Sequence, residues 1–167
     1  TVTTGSQAFE SFHEWLPSQL GDLADAGIEV NWVVGKHREE QISHLNSLES
    51  SVTYVSDIFL AERFAASTVV LTRFGVTAFE LTARGVPTII LPGWTEGEER
   101  EVMELERCKL ALVAKSESEV GPLAHQLAED RQAQMSLSMS SKAFFEIPHE
   151  HPASRLVSQI VLEKPLG

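Results

Sequence analysis

Arg73-Phe74-Gly75-Val76-Thr77, with Glu80 three residues on, is the stretch whose residue types and spacing can do chemistry. Gly75 permits a tight turn and a close approach of the backbone to a ligand. Thr77 is a helix-capping type, and a cap there starts a helix over about 78–85, stopped at Gly85 with Pro87 just beyond. Ahead of the turn, Val69-Val70-Leu71 is an apolar, β-branched run of the kind that makes a buried strand. A strand, a glycine turn and a helix start leave N–H groups unpaired and a positive dipole end facing outward, which suits a phosphate. On this reading Glu80 falls in the first turn of the helix. There the dipole favours its carboxylate, which can also accept hydrogen bonds from a diol such as ribose. The local pattern alone is equally that of an ordinary βα connection with an early Glu.

Such a turn needs a sheet and helices to hold it, and the rest of the chain supplies both. Val2-Thr3-Thr4 is a short strand followed by the turn Gly5-Ser6-Gln7. A helix over about 8–20 presents Phe9, Phe12, Leu16 and Leu20 on one face, with Pro17 as a point of splitting or kinking. Strands follow at 28–34, 52–55, 68–72, 88–91 and 110–113, and helices at 38–48, 58–66 (capped by Asp57), 98–108, 119–129, 131–145 and 155–162. Gly121-Pro122 is expected to interrupt the helix at 119–129. The helix at 98–108 is acidic, with Val102, Leu105 and Met103 as its apolar face.

Alternating β and α units of this length predict a doubly wound, Rossmann-like α/β domain: a parallel six-stranded sheet with helices on both faces. Its expected order is 3-2-1-4-5-6, which reverses between the first and fourth strands. Ligands bind such sheets beyond the carboxyl ends of the strands at that reversal. The loops placed there are Gly5-Ser6-Gln7 and Phe74-Gly75-Val76-Thr77, so topology and local pattern point to one spot.

Composition bounds the function. The length of 167 residues fits one domain, with a hydrophobic fraction of 43% and a charged fraction of 22%. Net charge is −11, from 24 acidic and 13 basic residues, which argues against a general nucleic-acid binder. A single cysteine, Cys108, excludes an internal disulfide and a cysteine zinc cluster, and a reducing compartment is the default. Cys108 adjoins a predicted buried strand and reads as a small hydrophobe. No apolar run reaches the roughly 18–20 residues that a membrane span needs. No G-x-G-x-x-G follows the first strand and no P-loop motif exists, which sets aside NAD-type dinucleotide and P-loop sites. Ser6 lacks the G-x-S-x-G setting of a hydrolase nucleophile. His149 and His151 make an H-x-H pair without a third ligand nearby, so no metal is expected. His13, His37, His44 and His125 read as solvated or capping residues.

Four segments carry a resemblance to the C-terminal, donor-binding domain of GT-B glycosyltransferases, in particular the family-28 group. That group includes the peptidoglycan N-acetylglucosaminyltransferase, and a relative is the UDP-sugar hydrolase of pseudaminic acid biosynthesis. Thr4-Gly5-Ser6-Gln7-Ala8 resembles the family's G-G-S-Q-G-A loop, and Val33-Val34-Gly35-Lys36 its second strand with a G-K ending. Arg73 to Glu80 resembles R-S-G-A-L-T-V-S-E, one residue shorter between Gly and Glu, a spacing nearer the hydrolase's G-S-T-S-W-E. Gly85-Val86-Pro87 through Pro92 matches the G-x-P-x-x-x-x-P that follows in both.

The resemblance implies that Gly75, Val76 and Thr77 present N–H groups and a hydroxyl to the diphosphate of UDP or a UDP-sugar. Ser6, flanked by Gly5 and Gln7, would contact a phosphate from the opposite wall, and Glu80 would bind the ribose. The backbone around Val55 would meet the uracil edge. Arg73 and Phe74 complete the phosphate turn, Arg73 having a structural role as its alternative. Residues 1–167 are then a single nucleotide-sugar-binding domain, the C-terminal half of a longer protein whose missing N-terminal domain binds the acceptor. The implied function is glycosyl transfer from a UDP-sugar in cell-envelope polysaccharide synthesis. No cofactor, nucleic acid or membrane span is expected, and no catalytic residue lies on this chain. The implied location is cytoplasmic, at the inner face of the membrane through the missing half. UDP-sugar hydrolysis and a non-catalytic GT-B-like module are the alternatives. The chain departs from the family after Pro92, where a Gln-containing, sugar-reading loop is replaced by Glu96-Gly97-Glu98-Glu99-Arg100-Glu101. A carboxylate ~6 Å from a diphosphate charge costs roughly 3 kcal/mol at an effective dielectric near 20 unless it is turned away or neutralised.

Overall fold

The computed structural model describes residues 1–4, 9–34, 44, 46, 49, 51–55 and 60–146. Its strands are β1 (Val2–Thr3), β2 (Asn31–Val33), β3 (Thr53–Val55), β4 (Val70–Thr72), β5 (Thr88–Ile90) and β6 (Leu112–Val113). The described helices are α1 (Phe9–Phe12), α2 (Leu16–Asp25), α3 (Leu60–Ala66), α4 (Val76–Ala83), α5 (Glu96–Arg107), α6 (Glu117–Glu129) and α7 (Arg131–Phe145). The strands form one parallel sheet in the order β3-β2-β1-β4-β5-β6, as the alternation of elements predicts. The expected helices at 38–48 and 155–162, the Asp57 cap and the His149–His151 pair fall wholly or largely outside the described residues.

The sheet is buried on both faces, which is why its strands read as continuous apolar runs rather than alternating ones. Successive side chains still point to opposite sides. Leu71 and Ile89 pack with Leu16, Leu20 and Leu23 of α2 and with Val120, Ala124 and Leu127 of α6. On the other face, Ile90 packs with Ala78 of α4 and with Val102 and Leu105 of α5, while Val70 packs with Phe64 of α3 and Leu81 of α4.

Two prolines resolve in opposite ways. Pro17 does split its predicted helix: α1 ends at Phe12, and α2 restarts with Pro17 in its first turn, where a missing N–H costs nothing. Gly121-Pro122, however, does not interrupt α6, which runs unbroken from Glu117. Pro122 and Ser118, whose carbonyl loses its helical partner, are both exposed and face water. Gly121 is buried, and its N–H donates to Oε1 of Gln19 on α2 at 3.1 Å. A Cβ there would come within 2.7 Å of that oxygen, so any larger residue would have to displace the Gln19 side chain. His13 is also not a solvated residue. It is half-buried between α1 and α2, edge-on to Trp32 at 6.3 Å.

The helix that carries the candidate site is closed firmly at its far end. Gly85 follows α4 at φ 70°, the N–H of Val86 donates to Leu81, and that of Gly85 to Thr82. This is a Schellman motif, and it requires a left-handed residue at Gly85. A Cβ at that position would also meet Cε of Lys142 at 2.9 Å and Oγ of Ser138 at 3.0 Å, both on α7. Gly85→Ala should therefore destabilise the domain by at least the left-handed penalty of about 1–2 kcal/mol. Urea unfolding tests this as a lowered midpoint with an unchanged slope.

Candidate functional site

The site is built where the chain order reverses. β1 pairs with β2 on one side and β4 on the other, with Val2 opposite Leu71 and Thr3 opposite Thr72. That register brings Thr4 level with Arg73, so the chain leaves both strands side by side at their carboxyl ends. Thr4 is 1% exposed, and its hydroxyl has no hydrogen-bond partner among the described residues. A buried hydroxyl without a partner is rare in a folded protein and calls for a reason.

Gly75 makes the turn that links β4 to α4, at φ 149° and ψ −166°, backbone that a residue with a Cβ rarely adopts. Its carbonyl accepts from the N–H groups of Ala78 at 3.0 Å and Phe79 at 3.4 Å. The N–H groups of Val76 and Thr77 then point out of the helix start without an intrahelical partner. The sequence expectation of a Thr77 cap is not met. α4 starts at Val76, Gly75 takes the cap position, and no side chain caps it. Thr77 is the second residue of the helix and half-buried. Because α4 starts earlier than expected, Glu80 lies in its second turn rather than its first. It is exposed and stands one turn above Val76, itself 75% exposed, on the solvent side of the helix.

Aromatic packing fixes the turn from beneath. The Phe74 ring meets Phe79 edge-on at 5.6 Å. Both rings and Trp94 pack on the cluster of Ala78, Ile90, Val102 and Leu105. The turn is thus tied to α4, β5 and α5 at once.

The acidic segment after Pro92 is ordered as the start of α5, and Glu98 is turned back on its own helix. Its Oε2 accepts from the Thr95 N–H at 2.8 Å and from the Thr95 hydroxyl at 3.0 Å, a capping-box arrangement. The same oxygen lies 3.8 Å from the Arg73 guanidinium. The Thr95 N–H above all, with help from its hydroxyl and from Arg73, holds the Glu98 carboxyl below its ordinary value. Glu96 and Glu99 are exposed in the same first turn, where the dipole of their own helix favours them. Nothing in the sequence pattern linked Glu98 to Arg73. The link exists because β4 and β5 are neighbours, which only the sheet order shows.

Of the other expected site residues, Gly5, Ser6 and Gln7 lie outside the described residues. Val55 ends β3, opposite Val33, and its carbonyl accepts from the Val34 N–H at 2.9 Å. It stands three strand spacings, roughly 14 Å, from β4 along the carboxyl edge. Cys108 is half-buried at the end of α5, with Sγ 3.3 Å from Oε1 of Glu104. Among the described residues no group of three or more His, Cys, Asp or Glu is placed to hold a metal ion, and no helix is long and apolar enough to cross a membrane.

Comparison with solved structures places this architecture. The chain superposes on the glycosyltransferase VinC, crystallised with dTDP, at a TM-score of 0.69 and 17% identity, covering 96% of this chain and 40% of VinC. For MurG of Acinetobacter baumannii the values are 0.68 and 16%, covering 98% of this chain and 48% of MurG. For the glycosyltransferase SnogD from Streptomyces nogalater they are 0.68 and 19%, covering 96% and 43%. This chain therefore spans less than half of each of those proteins, and at such identities the likeness is one of fold. Comparison by sequence with curated proteins gives no match. The family model described as the glycosyltransferase family 28 C-terminal domain matches residues 1–159. The chain belongs to that family, of which it carries the C-terminal, Rossmann-like domain of the GT-B architecture.

Proposed function

We propose that this chain is the donor-binding half of a GT-B glycosyltransferase, and that it holds the diphosphate of a UDP-sugar at the start of α4. The observation that carries the reading is a convergence at one edge of the sheet. An uncapped helix start, with the Val76 and Thr77 N–H groups facing outward, stands near the buried hydroxyl of Thr4, which has no partner among the described residues, at the strand-order reversal where such sheets take their ligands. On this reading the Gly75–Thr77 backbone and the Thr77 hydroxyl bind the diphosphate. Ser6 approaches it from the β1 side, Glu80 takes the ribose hydroxyls, and the backbone around Val55 meets the base. A pyrimidine nucleoside diphosphate is also what VinC holds in its crystal.

The acceptor and the general base belong to an N-terminal domain that would face this edge, so the chain by itself should bind the donor without turning it over. A cytoplasmic location, at the inner membrane face through that domain, accords with this reading.

Calorimetry with UDP, UMP, ADP and NAD tests the assignment. UDP should bind more tightly than UMP, because the second phosphate reaches the helix start. Equal affinity for ADP and UDP would remove the uracil assignment, and equal affinity for UMP and UDP would remove the diphosphate site. Glu80→Ala should weaken UDP by about 1–3 kcal/mol, the range for a hydrogen bond to a charged group, while leaving inorganic pyrophosphate unaffected. A loss shared equally by pyrophosphate would show that Glu80 does not read the ribose.

A further inference from the structure

We propose that Glu98 competes with the ligand's phosphate for Arg73, so that donor binding exchanges one ion pair for another and Glu98 sets the affinity. This rests on the reading of the α4 start as a diphosphate site, and it names a residue pair that tunes that site.

Four observations support the exchange. Arg73 lies on the phosphate turn itself, two residues before Gly75, while Glu98 lies in the first turn of α5, brought alongside because β4 pairs with β5. The pair is loose: Arg73 and Glu98 approach to 3.8 Å, and each side chain is 30% exposed, so solvent screens it and little is lost when it opens. Glu98 cannot follow Arg73, because two hydrogen bonds hold its carboxylate on Thr95. The Arg73 guanidinium makes no hydrogen bond to a side chain or carbonyl among the described residues, so it is the partner that can move. Finally, the Val76 and Thr77 N–H groups offer a diphosphate only partial charge, whereas a guanidinium supplies a full one and can bond to two phosphate oxygens at once. The Arg73 position thus faces two anions, one fixed by its own helix and one brought by the ligand.

The substitution that isolates the effect is Glu98→Gln. Gln still closes a capping box on Thr95 but carries no charge to hold Arg73. UDP and uridine are titrated by calorimetry into the wild-type chain, Glu98→Gln, Arg73→Gln and the double variant, with thermal midpoints recorded for each. Glu98→Gln should tighten UDP about two- to fivefold and leave uridine unchanged. Arg73→Gln alone should weaken UDP, again without affecting uridine, and this holds as a test even if the Glu98 variant folds poorly. In the Arg73→Gln background the gain from Glu98→Gln should disappear, the non-additivity expected of two residues that act as a pair. UDP affinity unchanged by Glu98→Gln would overturn the proposal, as would a gain of equal size in the Arg73→Gln background. In either case the diphosphate reading stands, since the wild type binds UDP. Absence of UDP binding in every protein would overturn both.

Discussion

Thr3 of β1 sits opposite Thr72 of β4, and this parallel register decides where two distant parts of the chain leave the sheet. Parallel strands need long crossovers, so β1 and β4 can be neighbours only because the β2 and β3 units go to one side and the β5 and β6 units to the other. At that reversal the connections leave the central strands in opposite directions. Polar backbone collects there for a topological reason, before any side chain is chosen.

What this chain adds is a helix that is closed at one end and open at the other. At Gly85 the Schellman motif satisfies the last carbonyls of α4 and locks it against α7. At Gly75 the backbone turns through a conformation open to glycine, and no side chain supplies the missing cap. The open end is held in place by packing instead: Phe74, Phe79 and Trp94 rest on the apolar faces of α4 and α5. The rigidity of this open end comes from apolar contacts beneath its backbone. The Arg73–Glu98 contact sits beside that frame and joins the turn after β4 to the first turn of α5. The acidic segment that follows Pro92 is therefore no loose cluster of charge. Its central carboxylate is committed to its own helix.

The sheet order, and with it the reversal point at which the candidate site was sought, was legible in the sequence because it follows from spacing. Glycine turns, β-branched runs and apolar stripes repeat often enough to fix the strand count and the reversal point. Local detail at the helix starts was less legible. Thr77 is a favoured capping type, but the backbone freedom of Gly75 outweighed that preference and moved the helix start to Val76, carrying Glu80 into the second turn. Pro122 should break a helix when considered alone. Its exposed position, and the close packing of Gly121 on α2, kept α6 whole. Glu98 was visible only as one of several carboxylates. Its bonds to Thr95 follow the S/T-x-x-E pattern and could have been read from residues 95–98, whereas its contact with Arg73 depends on strand neighbours and could not.

The central claim is that the backbone N–H groups at the start of α4 are where a nucleoside diphosphate is held. Following the amide resonances of Gly75, Val76 and Thr77 by NMR during a UDP titration tests it most directly. These three should shift the most, saturate together with the Thr4 amide, and shift far less with uridine. If they stay in place while UDP moves resonances at the opposite, amino-terminal edge of the sheet, where Glu29, Arg63 and Ser67 line a cavity beside Thr1, the ligand binds elsewhere and the account of this site is wrong.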